Sequence, residues 1–94
     1  MLYFVVAHDG TDPEAPERRR RVRPTHLEGI KPAVESGMLQ LGGAILDDQG
    51  GMIGSVLLVE AESEAAARDF IDNDIYSRQG VWQKVEIYPF QRAV

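Results

Sequence analysis

The chain has 94 residues, no cysteine, and 10 Lys/Arg against 15 Asp/Glu, a net charge of −5. That length suits one domain (residues 1–94) with a modest core, and the lack of cysteine excludes disulfides, thiolate metal sites and cysteine nucleophiles. Residues 38–94 carry the whole deficit, with 4 basic against 9 acidic side chains, which argues against a nucleic-acid partner. No apolar run reaches the roughly 18 residues of a membrane span, and the N-terminus lacks the basic flank of a signal peptide, so a cytoplasmic protein is expected.

Residues 2–7 (LYFVVA) are aromatic and β-branched and predict a first strand. Both alternating sets are apolar, so both faces of this strand should be covered. Residues 8–13 (HDGTDP) have turn chemistry. Residues 14–36 favour helix, but two prolines interrupt them. Proline disfavours helical geometry in the preceding residue, which predicts a break near Arg23, a new helix begun by Pro24, and a kink at Pro32. Gly37 is placed to cap the end of that helix.

Residues 38–46 (MLQLGGAIL) predict a second strand, and residues 47–51 (DDQGG) a hairpin loop. Residues 52–60 (MIGSVLLVE) form a third strand, again partly apolar on both faces. Ser63 predicts the N-cap of a helix from Glu64 to about Ile71, with Ala66, Ala67, Phe70 and Ile71 as its buried stripe. Residues 81–90 (VWQKVEIYPF) read as a fourth strand, with Pro89 marking an edge. The order β-α-β-β-α-β predicts an α+β, ferredoxin-like arrangement with both helices on one face of a four-stranded sheet. Two-sided apolar strands then call for a homodimer packed sheet to sheet, a dimeric α+β barrel.

Five arginines fall within six positions at residues 18–23. Each helical residue turns about 100°, so Arg18–Arg21 sweep about 300° and form no single stripe. Glu14 with Arg18 and Glu17 with Arg21 have the favourable i,i+4 spacing, at ~0.3 kcal/mol each, and Arg20 can share Glu17. Arg19 and Arg23 have no acid four residues before them and share one face; they are either part of a solvated helix face or point toward His26 as holders of an anionic ligand.

Two histidines are present. His8 sits beside Asp9 at the end of the first strand, where a surface or capping role is favoured; a metal site with Asp9 and Asp12 has no specific ligand spacing behind it. His26 lies within a helix, a position that by itself suits a structural histidine better than a catalytic one.

Several pieces in order change that balance: YFVVA, R23-P24-T25-H26, a Gly-Met-Leu turn into GGAILDD, GSVLLVEAES, D74-I75-Y76 and VWQKVEIYPF. Together they resemble the YCII family over essentially the whole chain. Two departures stand out, because the family commonly has Asp-Pro-Tyr at D74-I75-Y76 and often has proline at Gly43. The resemblance implies a dimeric α+β barrel with His26 and Asp74 as a reactive pair. It also implies proton-transfer chemistry without a cofactor, such as dehydrochlorination of a chlorinated hydroxyhydroquinone in aromatic degradation, on a fold similar to muconolactone isomerases.

That chemistry suits the residues. Imidazole titrates near about pH 6.5 and can take a proton from an acidic hydroxyl or carbon. A carboxylate on the other ring nitrogen would fix its tautomer, although the two residues could also exchange roles. Ser55 could bond a substrate oxygen, and Gly42 and Gly43 would admit close backbone approach. The expected function is a lyase or isomerase acting on a small molecule. The alternative is a non-catalytic module that binds a small anionic or aromatic metabolite through Arg19 and Arg23.

Overall fold

The aromatic and β-branched N-terminal run forms strand β1 (Leu2–Asp9) in the computed structural model, which describes residues 1–94. There follow α1 (Ala15–Gly29), α2 (Lys31–Ser36), β2 (Leu39–Leu46), β3 (Met52–Glu60), α3 (Glu64–Asp72), α4 (Ile75–Arg78) and β4 (Trp82–Phe90). The strands form one antiparallel sheet in the order β2-β3-β1-β4. This is the ferredoxin-like α+β arrangement expected from the sequence.

Alternation along β1 decides which side chains meet the helices. Tyr3, Val5, Ala7 and Asp9 are buried, and Leu2, Phe4, Val6 and His8 point to the opposite face. Tyr3 pairs with Val59, Val5 with Leu57 and Ala7 with Ser55, so the same face of β3 also meets the helices. Val22, Ala33, Ala67 and Ile71 close this core from the helical side. Val5, Val59 and Ile71 have no exposed surface, and such burial contributes on the order of 2 kcal/mol per side chain. Gly54 is dictated by close approach, because a Cβ there would lie 2.6 Å from the Ala7 carbonyl oxygen.

The helical segment divides differently from the expectation. Pro24 does not break it; α1 continues through Pro24 to Gly29. A proline at this position removes only the bond to the Arg20 carbonyl, and both residues are exposed, so water can serve that oxygen. The division falls at Ile30, and Pro32 opens α2 within its first turn rather than kinking it, where its missing N–H costs nothing. Gly37 ends α2 with φ of 83°, as a C-terminal cap requires. Ser63 caps α3 by accepting the Ala66 N–H at 3.1 Å.

The second face of the sheet carries no helix. Leu41, Ile45, Val56, Leu58, Phe4, Val6, Tyr88 and Phe90 share it by register, and Leu41 and Tyr88 are 52% and 49% exposed. No helix is long and apolar enough to cross a membrane.

Candidate functional site

Because α1 is continuous, Arg19, Arg23, His26 and Ile30 stand at i, i+4, i+7 and i+11 on one helical face. That face looks onto a cavity of about 270 Å³ between α1, β2 and β3. Leu27, Ile30, Val34, Leu39 and Leu57 give it apolar walls, the Leu41–Gly43 stretch borders its β2 side, and Ser55, Tyr76 and Trp82 add polar or aromatic surface. A Cβ on Gly43 would meet open space, so crowding does not dictate glycine there. The basic side chains on the wall are Arg19, Arg23 and His26, and no Asp or Glu lines it.

His26 is buried by aromatic neighbours. Its ring stacks on Tyr76 at 3.9 Å and 7° between planes, and meets Trp82 edge-on at 5.7 Å. Its Nδ1 shares a 2.8 Å hydrogen bond with Asp74 Oδ1. Asp74 caps α4, its Oδ1 also accepting the Tyr76 N–H at 2.8 Å, so a single side chain starts the helix and orients the imidazole. Asp74 does not line the cavity; it borders a separate cleft behind His26, between α1 and the α3–α4 segment. Position 75 is the first residue of α4, where proline is favourable. Ile75 adopts the same backbone and packs against the core.

Arg19 differs most from the expectation. It is 5% exposed, and its Nη1 donates to Asp9 Oδ1 and Oδ2 at 2.8 and 3.0 Å. Its Nη2 donates to Ser55 Oγ at 3.0 Å, and its guanidinium carbon lies 4.9 Å from the Tyr76 ring centre. Trp82 Nε1 donates to the same Ser55 Oγ at 3.1 Å. Burial raises the Asp9 carboxyl above its ordinary pKa, outweighing the Arg19 hydrogen bond and charge that pull it down. Burial likewise raises the Tyr76 phenol, against the lowering influence of Arg19 and Arg23. The Tyr76 hydroxyl and Arg19 Nε are buried without a partner.

The other arginines correct the expected pairing. Arg18 takes Asp12 rather than Glu14, with Nη1 and Nη2 at 3.1 and 2.7 Å from its oxygens, and also donates to the Gly80 carbonyl. The turn before α1 brings Asp12 to it. Glu17 takes Arg20, the i,i+3 partner also expected, and does not pair with Arg21. Arg23 remains exposed at the cavity rim and forms no ion pair. His8 lies within β1 rather than in a turn and meets Glu86 at 2.7 Å on the helix-free face. Asp9 and Asp12 are held by Arg19 and Arg18, and no group of three His, Cys, Asp or Glu could hold a metal.

Sequence reasoning weighed Asp9 only as a metal ligand beside His8, and it did not assign Tyr76 or Trp82 to the site. The alternation of β1 carried a signal for Asp9: it shares parity with Tyr3, Val5 and Ala7, so a core-facing carboxylate needing a cation follows.

Fold and cavity together define a ferredoxin-like α+β protein with a basic, partly aromatic pocket beneath its first helix. The chain belongs to the YCII family, whose YCII-related domain matches residues 1–91. It is 35% identical to protein YciI of Escherichia coli over 99% of both chains. It is also 35% identical to the derivative of benzaldehyde biosynthesis cluster protein C of Emericella nidulans, over 85% of this chain and 89% of that one. Among solved structures it is similar to the 5-chloro-2-hydroxyhydroquinone dehydrochlorinase of Burkholderia phenoliruptrix, solved with 2,5-dihydroxybenzoquinone. The TM-score is 0.84 at 26% identity, covering 99% of this chain and 96% of that one. A putative antibiotic biosynthesis monooxygenase from Deinococcus radiodurans shares the fold, with a TM-score of 0.51 at 11% identity over 99% of this chain and 94% of that one.

Proposed function

We propose that the chain is a lyase or isomerase that moves protons on a small oxygenated ring without a cofactor, with His26 and Asp74 as the working pair. The observation that carries this reading is the 2.8 Å contact between His26 Nδ1 and Asp74 Oδ1 at the wall of the cavity. An Nδ1–H donated to the carboxylate leaves the Nε2 lone pair as the basic position of the ring. Asp74 already serves His26 and the Tyr76 N–H and borders no part of the cavity, which favours His26 as base and Asp74 as the residue that fixes its tautomer. Ser55, Arg23 and the Gly43 region would contact the substrate, while Arg19 acts from behind Ser55.

In the dehydrochlorination suggested by the Burkholderia relative, Nε2 takes a proton from the keto tautomer of the ring. Chloride departs with its bonding electrons, so that HCl is lost and a hydroxyquinone remains. In an isomerisation, the imidazolium returns the same proton to another carbon. Stacking on Tyr76 helps to hold the cation in between.

The binding-only alternative keeps Arg23 but loses Arg19, whose two Nη atoms are already engaged. The two readings separate by experiment. Turnover is measured on oxygenated aromatic and lactone substrates with wild type, His26→Ala and Asp74→Asn, each checked for folding. Loss of a general base lowers the rate by about 10²–10⁴-fold. Unchanged turnover in both variants ends the mechanism, and retained ligand affinity in His26→Ala with none in Arg23→Ala would favour binding alone.

We further propose a homodimer in which the helix-free sheet face packs on a second copy. The support is the exposure of Leu41, Tyr88 and Phe90 beside the half-buried Phe4 and Val6, and sedimentation of the chain tests it.

A further inference from the structure

The hydroxyl of Ser55 has only one thing left to do. A serine hydroxyl offers one donor hydrogen and two acceptor lone pairs. Arg19 Nη2 donates to Oγ at 3.0 Å and Trp82 Nε1 donates to it at 3.1 Å. Guanidinium and indole N–H groups cannot accept, so both lone pairs are filled by groups that can never take the hydroxyl hydrogen. That hydrogen is donated to no protein acceptor, although Ser55 is 5% exposed and buried polar groups are ordinarily paired. Ser55 lines the cavity together with both of its donors.

The donors are themselves held. Asp9 fixes the Arg19 guanidinium through both carboxylate oxygens, and the Trp82 indole is wedged edge-on against Tyr76 at 5.3 Å and His26 at 5.7 Å. The hydroxyl therefore cannot rotate to become an acceptor without breaking a buried, charge-assisted bond. On a wall that carries no carboxylate, it is a hydrogen-bond donor of fixed direction.

We propose that Asp9, Arg19 and Trp82 lock the Ser55 hydroxyl as a one-way donor, making Ser55 a specificity-determining residue. The site then takes a ligand whose oxygen at that point is an acceptor, a phenolate, enolate or carbonyl, and rejects the isosteric amine. The inference rests on the cavity being the ligand site, and it deepens that reading without depending on the His26–Asp74 chemistry. Asp9 and Arg19 act through Ser55 and are positioning residues. During proton removal, a donor already aimed at the oxygen that gains charge stabilises the transition state at no cost of reorientation.

The test uses 4-nitrophenolate and 4-nitroaniline, which match in shape but present an acceptor and a donor respectively. Binding of each to the full chain is measured by absorbance titration above the phenol's pKa. Wild type is expected to bind 4-nitrophenolate at least 10-fold more tightly than 4-nitroaniline. Ser55→Ala should cut that ratio at least 5-fold, whereas Ser55→Thr, which retains the hydroxyl, should keep most of it. Arg23→Gln separates the charge contribution: it should weaken 4-nitrophenolate, yet in that background Ser55→Ala should still lower the ratio. Equal binding of the two probes by wild type, no binding of 4-nitrophenolate, or a ratio insensitive to Ser55→Ala would each overturn the proposal. The wild-type comparison involves no substitution, so misfolding of a variant cannot hide the answer. Because the readout is affinity, a failed His26 turnover experiment leaves this result standing, and the reverse also holds.

Discussion

Replacing Asp9 by alanine would leave the Arg19 guanidinium buried with its charge uncompensated. Arg19 is 5% exposed, loses both Nη1 bonds, keeps the single bond to Ser55, and already has an unpartnered Nε. Breaking a buried pair by removing one partner costs about 3–5 kcal/mol. In a domain of this size each kcal/mol moves Tm by roughly 4–8 °C, so a loss of ~3 kcal/mol lowers Tm by roughly 12–24 °C. The pair as a whole is another matter. Burial already raises the Asp9 carboxyl pKa despite Arg19, which means that desolvation outweighs their attraction. The double variant Asp9→Val/Arg19→Met should therefore fall within ~1 kcal/mol of wild type or exceed it. Urea and thermal unfolding of wild type, Asp9→Val, Arg19→Met and the double variant measure the coupling directly. A single-variant loss below ~1 kcal/mol, or a double variant as unstable as the sum of the singles, would refute the reasoning.

The hairpin between β2 and β3 gives a pH prediction. The Gly51 and Gln49 N–H groups donate to Asp47 Oδ1 at 2.8 and 2.9 Å and hold its pKa below 3.8. A carboxyl lowered on folding stabilises the native state above its unfolded value and loses that contribution as pH falls through the lowered one. Asp47→Asn should thus flatten the fall of Tm below pH 3.8, and an identical acid limb in the variant would count against it. For the sheet face, sedimentation should return twice the 10.5 kDa chain mass, and Ile45→Lys should return the single mass; a wild-type monomer at all concentrations dismisses the dimer.

β1, β3 and β4 were legible because each is a short run with β-branched or aromatic residues, and β2 as an apolar run ahead of a hairpin loop; pairing followed from their order. The helical half was less so. Pro24 reads as a break because local geometry disfavours it, yet α1 passes through it where the freed Arg20 carbonyl faces water. α4 has only four residues, too short for a periodic pattern, and Asp74 was visible only as part of a resemblance. Its contact with His26 depends on α1 passing alongside. The arginine run misled for a related reason. Helical spacing at i,i+3 and i,i+4 is all the pairing a linear sequence displays, whereas Arg18 and Arg19 bond to Asp12 and Asp9 in the turn and strand end before the helix. Tertiary contact overrode helical spacing in both cases.

The unbroken passage of α1 through Pro24 makes the site sensitive to length rather than to composition. Arg19, Arg23 and His26 reach the cavity by phase alone, and each inserted residue would turn everything after it by about 100°. One extra residue between Arg19 and His26 would keep every functional side chain in the chain and still part them, sending either the Asp9–Ser55 anchor or the Asp74 contact off the face. Drift among outward-facing positions such as Arg20, Arg21 and Pro24 disturbs nothing of that phase. Insertions and deletions are therefore expected to accumulate in the loop after β2, where residues 47–51 are exposed, and to be rejected within residues 19–26.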